Sequence, residues 1–149
     1  MPVEIVNRLA TDDENSVELR LIIQNAAVLK GKRISGMLFL NDRELARISI
    51  KLHNTNISLI ILCTCKKRHL VMVYRAKELE EHLKNKDVGD YLREFGYRSD
   101  DFISNLVRLH KRMNSFYNRM KGFPHEVGIF LGYPICDIKG FLENKGERY

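Results

Sequence analysis

Residues 57–74 have the sequence ISLIILCTCKKRHLVMVY, two apolar runs separated by the basic residues Lys66, Lys67 and Arg68. Both runs are rich in β-branched and aliphatic residues, which favour strands, and the short charged break favours a tight turn. We therefore predict an antiparallel hairpin of residues 57–64 and 69–74. Because apolar residues follow one another instead of alternating with polar ones, the sheet should be covered on both faces, or one strand should be central.

The segment before the hairpin predicts two helices and a further strand. Thr11 and Glu14 match a capping box, and a broad apolar face follows, which predicts a helix over residues 12–29. Residues 37–40 form a short apolar strand, and Asn41 can cap the next helix. That helix is marked by apolar residues at helical spacing: Leu45, Ile48 and Leu52.

The segment after the hairpin predicts the helices that cover the sheet. Residues 77–83 and 87–95 have the pattern of short helices, the second closed by Gly96. A longer helix follows the capping residues 99–101 and ends before Gly122. Its apolar stripe has the spacing expected of core packing rather than of a cofactor pocket: Phe102, Leu106, Leu109, Met113, Phe116 and Met120.

Residues 123–141, FPHEVGIFLGYPICDIKGF, predict a pair of very short helices. Pro124 suits a first helical position, Gly132 stops the first helix, and Pro134 begins the second. Helices this short are unstable alone, so their apolar residues, including Phe130 and Leu131, should dock on the remaining core.

Together these elements predict an α+β protein: a small, mainly antiparallel three-stranded sheet packed by several helices, with a short helix pair at the C-terminus. A length of 149 residues with 44% hydrophobic residues is typical of a single globular domain, here 1–149, with residues 1–11 as a candidate flexible segment.

The composition also indicates a compartment. The first residues lack the pattern of a secretory signal, and the longest apolar run, residues 59–63, is too short to span a bilayer. The three cysteines do not suggest a disulfide framework and fit a reducing environment. We expect a cytoplasmic protein with no membrane contact.

Four segments carry a resemblance to a known family: FPHEVGIFLGYP (123–134), AAVLKGKRISGMLFL (26–40), VYRAKELEEHL (73–83) and YLREFGY (91–97). Over roughly residues 20–149 the chain resembles an uncharacterised family of small bacterial proteins, a domain of unknown function, which implies no activity. The family pattern has a cysteine where this chain has Asn25 and a proline where it has Ala27, and relatives continue into a cysteine-containing tail. The resemblance implies that any redox or metal role of those cysteines is lost or weakened here.

One functional hypothesis is a helix-turn-helix over residues 126–142. Gly128, Gly132 and Ile138 have suitable spacing. The reading helix would offer few donors for phosphates or bases, only Lys139, Lys145 and Arg148. Asp137 and neighbouring acids oppose them, so despite the net charge of +6 we do not favour a nucleic-acid partner and predict no duplex DNA binding at physiological salt.

A second hypothesis is a metal or thiol-dependent enzyme that uses His125, Glu126 and Cys136, with His110 as a further candidate. His125 and Glu126 are adjacent, so on a helix they point about 100° apart and do not form an HExxH face. No CxxC pair, nucleophile elbow or phosphate-binding loop is present, and Cys63 with Cys65 in an apolar run is more typical of a core.

The third hypothesis, preferred by elimination, is a small non-catalytic binding or accessory protein. Its surface would include Pro124, His125, Glu126 and Tyr133, and its partner would be a protein or a small anionic ligand. The sequence identifies no cofactor.

Overall fold

The computed structural model describes residues 16–98, 100–119, 122 and 124–134. Within these ranges the chain forms six helices and three strands. In chain order they are α1 (Ser16–Leu29), β1 (Ser35–Asn41), α2 (Asp42–Leu52), β2 (Ile57–Cys65), β3 (Arg68–Arg75), α3 (Ala76–Leu83), α4 (Lys86–Arg93), α5 (Phe102–Arg119) and α6 (Val127–Phe130). The predicted α+β class is confirmed. None of the described helices combines the length and the apolar character that crossing a bilayer requires.

The three strands form one antiparallel sheet in the order β1–β3–β2. The predicted hairpin turn contains Lys66 and Lys67, which both adopt positive φ, 51° and 66°. A two-residue turn of this kind matches the right-handed twist of paired strands. β3 is the central strand, and its residues from Leu70 to Tyr74 are all buried. A central strand covered on both faces explains why the apolar residues do not alternate with polar ones.

Helices cover both faces of the sheet. On one face α3, α4, α5 and α6 pack against Met72 and Tyr74 of β3. On the other face α1 and α2 pack against Val71 and Val73. β3 therefore contributes to both core clusters, which is the two-sided burial that the hairpin sequence predicted. Cys63 belongs to the first cluster as a small core residue.

Local capping signals set the starts of the helices. At α2, Asn41 Oδ1 accepts a hydrogen bond from the Glu44 N–H at 2.8 Å, and Glu44 Oε1 accepts one from the Asn41 N–H at 3.0 Å. This is a complete capping box. The Asn85 side chain accepts from two N–H groups at the start of α4, one residue earlier than predicted. At α5, Asp101 Oδ1 accepts from the Ser104 N–H at 3.0 Å.

Some predictions lie outside the described residues. These are the start of the first helix at residue 12, the last position of the α5 stripe at Met120, and the second helix of the C-terminal pair beyond Pro134. The first helix of the predicted C-terminal pair is α6, which has four residues, all of them buried. The β1 strand is longer than predicted, residues 35–41 rather than 37–40, because its N-terminal residues also pair with β3.

Candidate functional site

A pocket of about 220 Å³ lies where the start of β1 meets α1 and the segment after α6. Its polar lining comes from three parts of the chain: Gln24 and Asn25 of α1, Arg33 and Ser35 before and within β1, and Tyr133. Apolar residues, among them Val28, Met37 and Leu131, form the remaining wall. Ligand sites typically combine a mostly apolar wall with a small number of polar groups that point to the same place, as here. This pocket is smaller than most ligand sites.

The sequence of α1 places Asn25 in this pocket through a kink. Asn25 has φ −129° and ψ 27°, which are not helical values, so α1 bends there. The bend brings the helix against Gly36 of β1, where an added Cβ would lie 1.8 Å from Asn25 Oδ1. Only glycine admits this approach. Asn25 is 3% exposed, and its Nδ2 has no hydrogen-bond partner among the described residues.

Ser35 and Arg33 add two further polar groups to the same pocket. Ser35 is 0% exposed, and its Oγ also lacks a hydrogen-bond partner within the described part of the chain. The Arg33 guanidinium lies over the Tyr133 ring, 5.0 Å from its centroid, and Nη2 donates to the Leu131 carbonyl at 3.3 Å. Stacking on an aromatic ring holds the planar cation in place.

The pocket is therefore rich in donors and positively charged. Its described lining contains no Asp, Glu, His or Cys. A buried donor without a partner costs about 1–3 kcal/mol, and native proteins leave few such groups. Two of them belong to residues that line the same pocket as the Arg33 guanidinium.

Of the residues that the sequence suggested as a site, Tyr133 lines this pocket, whereas Glu126 belongs to a buried ion pair. Glu126 is 0% exposed. Its Oε2 accepts a hydrogen bond from the Tyr97 hydroxyl at 2.8 Å, and Arg112 donates to the carboxylate through Nε and through Nη2, the latter at 3.3 Å. Both carboxylate oxygens are thus engaged, as in a forked arginine–carboxylate pair.

The electrostatics of this ion pair follow from burial and charge. Burial first, and then the Glu126 charge, raise the pKa of Tyr97 far above its usual range, so its hydroxyl stays a donor. The hydrogen bond to Glu126 raises the pKa of Arg112. The guanidinium of Arg112 also lies over the Phe95 ring, 5.4 Å from its centroid. Glu126 therefore links α6 to α5 and to the segment after α4.

Pro124 and His125 precede α6. Pro124 is buried and His125 is partly buried. Burial lowers the pKa of His125, although the nearby Glu126 charge acts in the opposite direction. Within the described ranges, no three His, Cys, Asp or Glu side chains come together as a metal site would require. Cys136 lies outside these ranges, as do Lys139, Lys145 and Arg148.

His110 has a structural position. Its Nδ1 donates to the Ile61 carbonyl of β2 at 2.7 Å, which joins α5 to the sheet. Close to Ile61 the β2–β3 register shifts by one residue. Such a bulge leaves strand groups unpaired, and a side chain from a neighbouring helix can satisfy them.

Next to the turn of the β2–β3 hairpin, a threonine, a histidine and an aspartate form a hydrogen-bonded array. His69 Nδ1 is 2.8 Å from Thr64 Oγ1, and His69 Nε2 is 2.5 Å from Asp42 Oδ1. In hydrolytic triads the aspartate is buried, so that it can orient the histidine and stabilise its charged form. Here the Asp42 side chain is 87% exposed. The array connects the hairpin to the start of α2 and has the features of a structural contact.

The two described cysteines differ in environment. Cys63 is 1% exposed, and burial, with a smaller contribution from Cys65, raises the pKa of its thiol to about 11. Cys65 is partly exposed, and both thiols are free. Since the thiolate is the nucleophile, a thiol with this pKa is about 0.1% ionised at pH 8 and is chemically inert.

We predict that Cys65 reacts with iodoacetamide at pH 8 at least tenfold faster than Cys63. The reason is that Cys63 is both buried and protonated. Peptide mapping by mass spectrometry after timed alkylation measures each site separately, and alkylation in denaturant provides the control for equal intrinsic reactivity. Equal rates in the folded protein would contradict the assigned burial.

Sequence reasoning missed Asn25, Arg33 and Ser35 as site residues. One signal was present: a polar residue, Asn25, interrupts the apolar face of a predicted helix. The approach to Gly36 depends on tertiary packing, which no local pattern encodes.

The fold and the pocket thus define an α+β protein with a donor-lined pocket beside an edge strand. The chain belongs to a family described as "Protein of unknown function (DUF3793)", whose family model matches residues 21–149. The family-level resemblance noted in the sequence is confirmed. No curated protein and no solved structure matches the chain at a significant level.

Proposed function

We propose that this protein is a small non-catalytic binding module that takes a carboxylate in the pocket formed by Asn25, Arg33 and Ser35. The observation that carries the proposal is the pair of buried polar atoms, Asn25 Nδ2 and Ser35 Oγ, without partners among the described residues. Both residues line the same pocket as the Arg33 guanidinium. A carboxylate that accepts from the guanidinium and from these two atoms removes the cost of leaving the two atoms unpaired.

The donor set favours a carboxylate over a neutral ligand. An arginine fork matches the two oxygens of a carboxylate, and an amide N–H and a hydroxyl supply further donors. A cation would meet the Arg33 charge without a compensating acid in the described lining. A carboxylate is one kind of the small anionic ligand that the sequence analysis expected. The proposed site also contains Tyr133, which belongs to the surface predicted from the sequence.

The lining also favours binding over catalysis. Acid–base or nucleophilic chemistry requires a titratable group or an activated nucleophile next to the reacting atoms. The described pocket residues offer only Ser35 and Tyr133 hydroxyls, with no histidine or carboxylate beside either. A cytoplasmic location is part of the proposal, supported by the free Cys63 and Cys65.

The test is titration of the full-length protein with N-acetyl-leucine and with its amide, followed by NMR chemical-shift changes and calorimetry. We expect the acid to bind and to shift the Ser35, Gly36 and Arg33 signals, and the amide to bind at least tenfold more weakly. Arg33→Gln should weaken binding of the acid by about tenfold or more, because a charge-assisted hydrogen bond contributes about 1.5–3 kcal/mol. Arg43→Gln is the matched control, since Arg43 is an exposed arginine of α2 that does not line the pocket.

Ser35→Ala separates a binding role from a structural one. Because the Ser35 hydroxyl is buried without a described partner, its removal should leave the free energy of unfolding unchanged or raise it by up to about 1 kcal/mol. The same variant should weaken binding of N-acetyl-leucine severalfold. Loss of stability with unchanged affinity, or no binding by the unmodified protein, would reject the proposed function.

A further inference from the structure

A second cavity, of about 370 Å³, adjoins the Arg33 pocket and shares Gln24 and Met37 with it. Phe39 and Leu70 add further apolar lining to this second cavity. Phe39 is 44% exposed, so a molecule bound in the cavity would remove apolar surface from water. A ligand whose carboxylate lies in the Arg33 pocket therefore has room to extend over an apolar surface.

Two arginines, Arg20 and Arg68, also line the second cavity. Arg20 is already engaged, because it donates to the Phe39 carbonyl at 3.2 Å and to the Glu44 carboxylate. Arg68 is exposed, and it forms no ion pair with any residue that the structure describes. Arg68 therefore supplies the uncompensated positive charge of this cavity.

The hydroxyl of Tyr117, on α5, adds a donor to the same cavity. Burial, with a smaller contribution from Cys63, raises the pKa of Tyr117, so its hydroxyl stays protonated at neutral pH. The described lining of the two cavities together contains no Asp or Glu. Cations at two places, with no carboxylate between them, are complementary to a ligand that carries two negative charges.

The register of the sheet separates Arg68 from the Arg33 pocket. Ser35, in that pocket, begins β1, whereas Arg68 pairs with Asn41 at the other end of the strand. The cavity that Arg68 lines reaches Phe39. Four strand steps of about 3.4 Å separate residues 35 and 39, about 14 Å in all. An extended chain of about eight methylene groups between two carboxylates has a similar span, since each C–C bond measures about 1.5 Å.

We propose that the ligand is a dicarboxylate with an apolar middle, which places one carboxylate in the Arg33 pocket and the other beside Arg68. This inference rests on the proposed function, and it names the class of ligand. Side chains make the contacts, because the Phe39 carbonyl at the edge of β1 already accepts from Arg20. The apolar middle of the ligand covers Met37 and Phe39, and its burial adds to the affinity.

The experiment compares four probes on the full-length protein by calorimetry: decanedioic acid, hexanedioic acid and the monomethyl ester of each. We expect decanedioic acid to bind about fivefold more tightly than its ester, because an ion pair with an exposed arginine contributes modestly. Hexanedioic acid should show no such gain over its own ester, since it carries the same charge but is too short to reach Arg68. The gain of decanedioic acid should shrink at high salt, which screens exposed charges.

Two variants test the second site directly. Arg68→Gln should remove the advantage of decanedioic acid over its ester and leave binding of the ester unchanged. Lys67→Gln is the matched control, because Lys67 is an exposed neighbouring cation that lines neither cavity. This control should keep the advantage. In NMR spectra decanedioic acid should shift the ring signals of Phe39 and Tyr117, which hexanedioic acid should leave in place.

The outcomes separate this inference from the proposed function. Equal affinity for decanedioic acid and its ester would reject the second site, and the effect of Arg33→Gln on both probes would then decide the first site separately. If decanedioic acid, its ester and N-acetyl-leucine all fail to bind, both proposals are wrong. Equal losses for Lys67→Gln and Arg68→Gln would indicate a general effect of positive charge and overturn the inference.

Discussion

Replacing Arg112 with methionine should lower the free energy of unfolding by about 3–5 kcal/mol. The substitution leaves the Glu126 carboxylate, which is 0% exposed, in the core without its cation. Removal of one partner from a buried ion pair is strongly destabilising because the remaining charge is neither solvated nor compensated. Equilibrium denaturation in urea measures the change. Lys111→Met is the control, because Lys111 is an exposed residue of the same helix and should change stability by no more than about 0.5 kcal/mol.

The reciprocal substitution should cost less. Glu126→Gln leaves Arg112 without its carboxylate, but the Arg112 side chain is 34% exposed and can reach water. The glutamine can still accept from the Tyr97 hydroxyl, so we expect a loss of about 1–3 kcal/mol. The double variant with both substitutions should be more stable than Arg112→Met alone, since it no longer buries an unpaired charge. A larger loss for Glu126→Gln than for Arg112→Met would contradict this account.

The ion pair also bears on the enzyme hypothesis drawn from the sequence. A carboxylate that accepts three hydrogen bonds from Tyr97 and Arg112 is held by structural partners. Glu126 reaches them because α6 turns it inward, although its side chain does not cap that helix. We propose a structural role for Glu126, and the unequal costs of the two substitutions are the corresponding test.

The sequence predicted most of the fold because most of the fold is locally encoded. The hairpin has β-branched runs and a basic turn, and the start of α2 has a complete capping box at Asn41 and Glu44. The alternating spacing along α5 correctly indicated its buried face, at Leu106, Leu109 and Met113. The order of the strands was not predicted, since β1 pairs with β3 across a helix and a strand.

The site was less predictable because it depends on contacts between distant residues. Arg33 donates to Leu131, 98 positions along the chain. No local pattern of charge links two residues so far apart. Likewise, Glu126 contacts Tyr97 and Arg112, which are 29 and 14 positions away, whereas the sequence analysis considered it only together with its neighbours His125 and Cys136 and as part of a surface. Tyr133 was recognised because it belongs to a distinctive motif.

Replacing Phe130 with alanine should cost about 3–5 kcal/mol and leave the protein largely unfolded at 37 °C if its stability is marginal. Phe130 is fully buried in the core that α3, α4 and α5 share, and its ring lies 5.5 Å from that of Tyr97. α6 has only four residues, so it depends on such tertiary contacts for its existence. Thermal unfolding followed by circular dichroism measures the loss.

A matched pair of isoleucines separates docking of α6 from the general effect of removing apolar groups. Ile129 is 0% exposed and Ile103, on α5, is 67% exposed, so Ile129→Ala and Ile103→Ala delete the same atoms from opposite environments. His82 Nε2 donates to the Ile129 carbonyl at 3.1 Å, which holds this turn against α3 in either variant. We expect Ile129→Ala to cost about 2–5 kcal/mol and Ile103→Ala less than about 0.5 kcal/mol. Equal effects would mean that α6 does not dock, and the segment that positions Leu131 and Tyr133 at the pocket would then lack its support.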